Sequence, residues 1–163
     1  MKSVIIFIFS IFLSIYAYSM DDANPRVELA LRMAGHTKLP HDALRACFDG
    51  MIQAINEKTE NKVDDNLKDQ IWSSISVHRI EALKKVFLDG VVEKILKGFN
   101  DEEILAMLQD HKDKGRITNL VFSGSIQTAM YFEKELIQNK VMDQVENMES
   151  VLVEEILQKL QIE

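Results

Sequence analysis

Apolar residues recur every three or four positions along most of the chain, as Leu44, Phe48 and Met51 illustrate. A spacing near 3.6 residues places such side chains on one face of a helix, whereas a strand would alternate with a period of two. No alternating run occurs beyond the first nineteen residues. The pattern therefore predicts an all-α fold, a single compact bundle of about five to seven helices with a long, kinked or broken C-terminal helical segment.

Local signals divide the first half of this bundle into helices. Asn24-Pro25 is an N-cap followed by proline at the first helical position, and the helix that follows should end near Gly35-His36. Its apolar face is predicted to consist of Val27, Leu31 and Ala34. The helical pattern should then break at Leu39-Pro40, a few residues after this helix.

Leu39-Pro40 is expected to interrupt the chain before a second helix from His41 to Asn56. Gly50 lies inside that helix, where glycine is unfavourable, so we expect close packing against another element there. The polar stretch from Glu57 to Asn66 predicts a loop. The second helix should bury one stripe of residues: Leu44, Cys47, Phe48, Met51, Ile52 and Ile55.

A third helix is predicted from Leu67 to Phe87, with Trp72 at the edge of its apolar stripe. Asp89-Gly90 indicates either a kink or a stop, and a stop would leave a short helix from Val91 to Lys97. The predicted stripe of the third helix is Leu67, Ile71, Ile75, His78, Leu83 and Val86.

The stretch from Phe99 to Gly115 carries the clearest helix signals in the chain. Asn100 and Glu103 have the spacing of a capping box, and Phe99 and Ile104 that of a hydrophobic staple. Gly115 is a typical residue just past a helix C-terminus. A helix with both ends fixed is therefore expected here.

Helical spacing continues from Ile117 to Leu160. A single helix over 116–161 would be roughly 69 Å long, while a compact domain of this size has a radius of gyration of about 15 Å. The helix should therefore break, or it should extend out to a partner. Gln138-Asn139-Lys140 interrupts the apolar positions, so a break or kink is expected near Asn139.

The first nineteen residues have the pattern of an export signal. Lys2 precedes an apolar run from Val4 to Ile15, and small residues before Met20 suit cleavage there. The alternative is an uncleaved membrane anchor, although the run is shorter than a spanning helix needs. The prediction is a signal peptide over 1–19, one all-helical domain over 20–163 with no stable membrane span, and a periplasmic or secreted location.

The charge balance excludes partners that bind through bulk electrostatics. The chain has 26 acidic and 19 basic residues, a formal net charge of −7. Loss of Lys2 with the signal would make the domain more negative still. Binding to nucleic acid or to anionic lipid through bulk charge is therefore not expected.

Candidate chemistry is sparse. Cys47 is the only cysteine and is predicted to be a buried small hydrophobe; a reactive thiol and an intermolecular disulfide are the alternatives. The four histidines lack the spacing of a metal site, because His36 and His41 flank a proline and His78 precedes Glu81 without a paired motif. His111 lies near a helix C-terminus, which favours a structural role.

Adjacent carboxylates and methionines are also assigned to structure. Neighbouring residues on a helix do not share a face, so acid–base catalysis by an adjacent pair is not expected. Met142 and Met148 do not form a cluster that could bind copper. We predict no catalytic, cofactor-binding or metal-binding residue and no cofactor. The carboxylate pairs are Asp21-Asp22, Asp64-Asp65, Glu102-Glu103 and Glu154-Glu155.

The segment Phe99-Asn100-Asp101-Glu102-Glu103-Ile104, followed by an amphipathic helix and Gly115, resembles a family of exported bacterial all-helical proteins known only as a domain of unknown function. The chain differs from the family pattern at Asp110-His111 and Asp113-Lys114, where an aromatic pair and a Ser-Pro turn are typical. The resemblance implies an exported all-α fold and no particular activity.

Two functions follow as hypotheses. The first is a non-catalytic exported protein that associates with a protein partner or with itself, using the amphipathic segment from Ile117 to Leu160 as the contact surface. The second is a periplasmic carrier of a small apolar ligand held between helices, since the chain is rich in Met, Phe and Ile. An enzyme is the third choice, because no constellation of acid, base and nucleophile is found.

Overall fold

The computed structural model describes residues 24–35, 37–58 and 63–160. Within these ranges the predicted all-α helical bundle with a long C-terminal helix is confirmed, and no strand is present. The predicted signal peptide and its cleavage site lie outside the described residues. The elements are α1 (Pro25–Ala34), α2 (Leu39–Lys58), α3 (Asp65–Lys94), a short 3₁₀ helix (Leu96–Gly98), α4 (Asp101–Lys114) and α5 (Leu120–Leu160).

The predicted caps are confirmed. The Asn24 side chain accepts a hydrogen bond of 3.0 Å from the backbone N–H of Arg26. At the start of α4, the Asn100 side chain accepts from the Glu103 N–H at 3.0 Å, and the Glu103 carboxylate accepts from the Asn100 N–H at 2.8 Å, which completes the capping box. Gly115 ends α4 in the left-handed conformation with φ 68°. Each cap involves residues at most four positions apart, which is why the sequence could show them.

The predicted apolar face of α1 is wrong. Leu29 and Ala30 are fully buried, whereas Val27 and Leu31 are substantially exposed. Helix α1 packs against α3 and α4, and that contact selects the side of the helix that carries Leu29, Ala30 and Met33.

The predicted boundaries of α2 are too narrow. The helix begins at Leu39, and Pro40 lies in its first turn, where the missing N–H would have no intrahelical partner in any case. It continues to Lys58, so the predicted loop from Glu57 to Asn66 is partly helical. The description resumes at Val63, and the Asp64 carboxylate caps α3 by accepting from the Leu67 N–H at 2.7 Å.

Helix α3 continues through Asp89-Gly90 to Lys94, so of the two alternatives, a kink or a stop, the stop with a separate helix from Val91 to Lys97 is wrong. A Cβ on Gly90 would lie 3.2 Å from Cγ2 of Ile137, which identifies Gly90 as a point of close approach between α3 and α5. A Cβ on Gly50 would have no neighbour within 4 Å, so the close packing expected there is not found. His78, predicted on the buried stripe of α3, is exposed.

Helix α5 runs without interruption through Asn139, so the predicted break there is wrong. Its 41 residues extend roughly 60 Å. Two hydrophobic clusters lie along it, and each half of the helix contributes to one of them. The C-terminal half packs with α2 and α3 through Val141, Val145, Leu152 and Ile156. The N-terminal half joins α1, α3 and α4 through Ile126 and Ile137.

Salt bridges and a backbone contact join elements that are distant in sequence. The Arg26 guanidinium donates to the Leu96 carbonyl oxygen and to the Asp101 carboxylate, both at 2.7 Å, which ties α1 to the start of α4. Arg79 of α3 donates to Glu155 of α5 at 2.6 Å. In the part of the chain that the structure describes, no helix is long and apolar enough to cross a membrane.

Candidate functional site

The N-terminal half of α5 has only one fully packed position before Ile137. Ile126 is the single buried residue between Leu120 and Leu136. Phe122 is partly buried and packs edge-on against Phe99, with ring centroids 6.2 Å apart. The residues on the opposite side of this half of the helix are exposed to solvent.

We call this solvent-facing side the outer strip. Its large members are 70–82% exposed: Val121 73%, Tyr131 82% and Phe132 70%. The two aromatic rings stack on each other in a T-shaped arrangement, with centroids 5.3 Å apart. Small residues lie between the large ones along the helix. The outer strip consists of Val121, Gly124, Ser125, Thr128, Tyr131 and Phe132.

The outer strip lies within a run of sixteen residues, 117–132, that contains no charged side chain, although 28% of the whole chain is charged. Exposed apolar surface on a soluble domain is normally scattered among charges. An exposed strip that combines large apolar side chains with small uncharged ones is typical of a surface that another molecule covers.

The C-terminal half of α5 is different. Val141 and Val145, with Leu152 and Ile156 further on, are at most 1% exposed and belong to the main core. The second half of α5 thus uses its buried apolar face within the chain, and the exposed charge-free strip lies on the first half.

A cavity of about 890 Å³ lies on the other side of the N-terminal half of α5. It is bounded by the C-terminal ends of α1 and α4, by α3, and by the connection between α4 and α5. Its apolar lining residues are Met33, Ala34, Phe87, Val91, Ile117, Leu120, Ile126 and Met130.

The α4–α5 connection, residues 115–119, forms one rim of the cavity and is held by Asp110. The carboxylate of Asp110 accepts hydrogen bonds from the Lys114 ammonium at 2.6 Å and from both the hydroxyl and the backbone N–H of Thr118. These bonds, led by that from Lys114, hold the pKa of Asp110 well below its usual range. The connection is therefore fixed at one end by a left-handed Gly115 and in the middle by this carboxylate.

Two arginines line the cavity, and none of its described lining residues is Asp or Glu. The Arg32 guanidinium lies 3.0 Å from the Glu28 carboxylate outside the lining. Arg116 makes no hydrogen bond or ion pair within the described residues. His111 also lines the cavity, and its Nδ1 is buried without a hydrogen-bond partner among the described residues. The cavity thus has a local excess of positive charge in an acidic chain.

A second, smaller groove of about 520 Å³ lies between α2 and α5. Cys47 lines it beside Gly50 and is half-buried, not fully buried, with its side chain packed against the main core. Burial, with a smaller contribution from Glu149, raises the pKa of the Cys47 thiol. A raised pKa leaves less thiolate at neutral pH, which disfavours the alternative of a reactive thiol.

The remaining candidate side chains have structural partners. His41 packs edge-on against Trp72 with centroids 5.6 Å apart, and Glu81 lies 2.7 Å from Lys84. His36 and Asp21-Asp22 lie outside the described residues. In the described ranges, no group of three or more His, Cys, Asp or Glu side chains could hold a metal ion.

The carboxylate pairs do not form sites either. Asp64 caps α3, and Glu102-Glu103 lies in the first turn of α4 as predicted. Glu155 is partly buried and accepts a hydrogen bond from the Arg79 guanidinium at 2.6 Å. Sequence reasoning missed Arg116, although the charge-free run that begins beside it is visible in the sequence.

In comparisons with family models, with curated proteins and with solved structures, the chain matches none of them. The resemblance of the Phe99–Gly115 segment to an exported helical family therefore stays an expectation. Two features of the structure bear on function: the outer strip of α5 and the cavity behind it.

Proposed function

We propose that the protein is an exported, non-catalytic helical protein that acts by associating with a second copy of itself through the outer strip of α5. The observation that carries the proposal is the exposure of Val121, Tyr131 and Phe132 within a charge-free run. The expected export rests on the first nineteen residues, which have the pattern of a signal peptide.

The exposed side chains are large enough to matter energetically. Full burial of a large apolar side chain contributes roughly 1.5–3 kcal/mol. Three such residues from each of two copies could contribute roughly 9–18 kcal/mol as an upper limit. Association itself costs an estimated 4–15 kcal/mol. A reversible dimer is consistent with this balance. A monomer leaves the outer strip in water and gains no free energy from burying it.

A second copy fits because the outer strip is self-complementary. If two α5 helices pair in antiparallel orientation about a twofold axis at Thr128, then Phe132 of one copy faces Gly124 of the other, and Tyr131 faces Ser125. Large side chains then lie against small ones, which allows the helix axes to approach to about 8 Å. The same pairing places Leu120 opposite Leu136, and Val121 opposite Glu135.

The absence of charge from 117–132 removes an obstacle to this pairing. Close to the twofold axis a side chain lies near its own copy, so a charge there would meet a like charge at short distance, which is unfavourable. The chain is acidic overall, so two copies repel each other at long range. We therefore expect association to strengthen as added salt screens that repulsion.

The test compares one substitution at two exposed valines. Val121→Asp places a charge in the outer strip, whereas Val77→Asp places the same charge on α3, where Val77 is 60% exposed and outside the strip. Sedimentation velocity should show a dimer for the unmodified chain and for Val77→Asp, and a monomer for Val121→Asp. Circular dichroism should show equal helix content in all three.

Two results would contradict the proposal. The unmodified chain could remain monomeric at its highest soluble concentration, which would mean that the outer strip does not pair with itself. Alternatively, Val121→Asp could dimerise as well as Val77→Asp, which would place any interface elsewhere.

A second candidate function is favoured by the cavity. We propose that it holds a small, largely apolar ligand between helices, because its volume lies within the range of roughly 300–1,000 Å³ that is usual for ligand sites. Native mass spectrometry of protein purified from its host should show a bound mass of lipid size. Protein that carries no such mass, and takes up no apolar ligand when one is offered, would contradict this proposal.

A further inference from the structure

We infer that the cavity between α1, α3, α4 and α5 binds a single-chain amphiphile with an anionic head group, such as a fatty carboxylate or an alkyl phosphate. The head group lies against Arg116 and Arg32, and the alkyl chain lies along Val91, Ile126 and Met130. This inference rests on the proposal that the cavity holds a ligand, and it adds the chemical class of that ligand.

The inner part of the cavity suits an alkyl chain. Val91 is 2% exposed and Ile126 8%, so the surface that they offer is backed by the second hydrophobic cluster. Phe87 and Met130 extend the apolar wall. Methionine and unbranched chains adapt to each other because both rotate freely about several bonds. The side chains of Val91, Ile126 and Met130 offer no hydrogen-bond donor, so a polar ligand such as a sugar would be poorly satisfied against them.

The rim suits an anion. Arg116 has no hydrogen-bond or ion-pair partner among the described residues. Arg32 forms an ion pair with one carboxylate, that of Glu28. A guanidinium group binds a carboxylate or a phosphate through two parallel hydrogen bonds, which makes arginine the usual choice for such groups. Because the described lining contains no acid, a cationic head group would meet repulsion without compensation.

The position of Arg116 is fixed by the backbone around it. Gly115 on one side adopts a left-handed conformation, and Thr118 on the other side is bound through its N–H and its hydroxyl to Asp110. The backbone that carries Arg116 is thus held in place before a ligand arrives. Preorganisation of this kind lowers the entropy cost of binding.

The experiment uses isothermal titration calorimetry with the full chain and four probes that share one alkyl chain: decanoate, decyl phosphate, decanol and decyltrimethylammonium. All are used below their critical micelle concentrations. Decanoate and decyl phosphate should bind at least about tenfold more tightly than decanol and decyltrimethylammonium, since a hydrogen bond to a charged group contributes that much. The ratio between the two anions then distinguishes a carboxylate site from a phosphate site.

Three variants locate the binding site. Arg116→Ala should weaken the binding of both anions about tenfold or more and leave the affinity for decanol unchanged. Lys134→Ala removes the same charge from an exposed position of α5 that does not line the cavity. It should change neither the affinity for the two anions nor the affinity for decanol. Gln127→Trp introduces a large side chain at an exposed residue that lines the cavity, and should weaken all four probes.

The failures can be told apart. Equal affinity for all four probes, or anion binding that Arg116→Ala leaves intact, would overturn the anionic head group while the cavity remained a ligand site. A complete absence of binding by every probe would overturn the inference and the ligand proposal together. Neither result would bear on association through the outer strip.

Discussion

Replacing Gly90 by alanine should destabilise the protein, although alanine is the better helix former. Gly90 lies inside α3, at the point where that helix comes close to α5. An added Cβ would lie 3.2 Å from Cγ2 and 3.3 Å from Cγ1 of Ile137, which is shorter than ordinary van der Waals contact. Ile137 is 2% exposed and β-branched, so it has one strongly preferred rotamer and little space into which it could move.

The magnitude follows from two opposing terms. Alanine is favoured over glycine in a helix by about 1 kcal/mol. Insertion of a methyl group into a well-packed interior costs about 1–3 kcal/mol. Because Ile137 cannot rotate away, we take the upper part of that range and expect a net loss of about 1 kcal/mol in the free energy of unfolding. Gly50 is the matched control, since it lies in α2 with no atom within 4 Å of an added Cβ. Gly50→Ala should gain up to about 1 kcal/mol.

Urea denaturation at a fixed protein concentration measures both variants, because the unfolding midpoint shifts with stability when the slope is unchanged. A double-mutant cycle with Ile137→Ala isolates the contact. In that background both Cγ atoms are absent, so Gly90→Ala should no longer destabilise. The reasoning would be refuted if Gly90→Ala stabilised the chain as much as Gly50→Ala does.

Two further predictions concern the ends of α4. Asn100→Ala removes the capping box and should lower the free energy of unfolding by about 1 kcal/mol in the same denaturation assay; an unchanged midpoint would contradict the role of the cap. Asp110→Asn should accelerate amide exchange of Thr118, measured by NMR, and a similar rate in both chains would show that the carboxylate does not hold the connection. Because the folded-state pKa of Asp110 is lowered, its contribution should be complete above the ordinary value of about 3.9 and decline as the pH falls below that value.

The sequence could predict the features that depend on near neighbours. The capping box at Asn100 and Glu103, the cap at Asn24 and the left-handed Gly115 all involve partners within four residues, so the chain shows them directly. The glycines inside helices show the opposite case. Gly50 and Gly90 look alike in the sequence, and only the approach of α5 makes one of them a close contact.

The continuous α5 could not be predicted from size alone. A break near Asn139 follows only if the helix packs against one compact core. The structure instead has two clusters along the helix, so Ile137 and Val141 can belong to different cores on one unbroken helix. The buried face of α1 was predicted wrongly for a related reason. Leu29 is buried because α1 packs against α3 and α4, which lie far away in sequence.

The candidate sites were only partly visible. The charge-free run over 117–132 can be seen in the sequence, but whether it faces the core or solvent depends on how α5 docks. The cavity could not be found, because Arg32 and Arg116 belong to segments that only the packing of α1 against α4 brings together.

The most direct test of self-association is disulfide cross-linking at Thr128, through which the proposed twofold axis passes. The experiment replaces Cys47 by serine, so that the natural thiol cannot react, and introduces Thr128→Cys or, as a control at an exposed position in the other half of α5, Ser150→Cys. Antiparallel pairing brings two copies of residue 128 together, and a disulfide requires Cα atoms within about 7 Å. The account predicts that Thr128→Cys forms a covalent dimer on mild oxidation while Ser150→Cys stays monomeric. A monomeric Thr128→Cys chain, or equally rapid cross-linking of both variants, would contradict it.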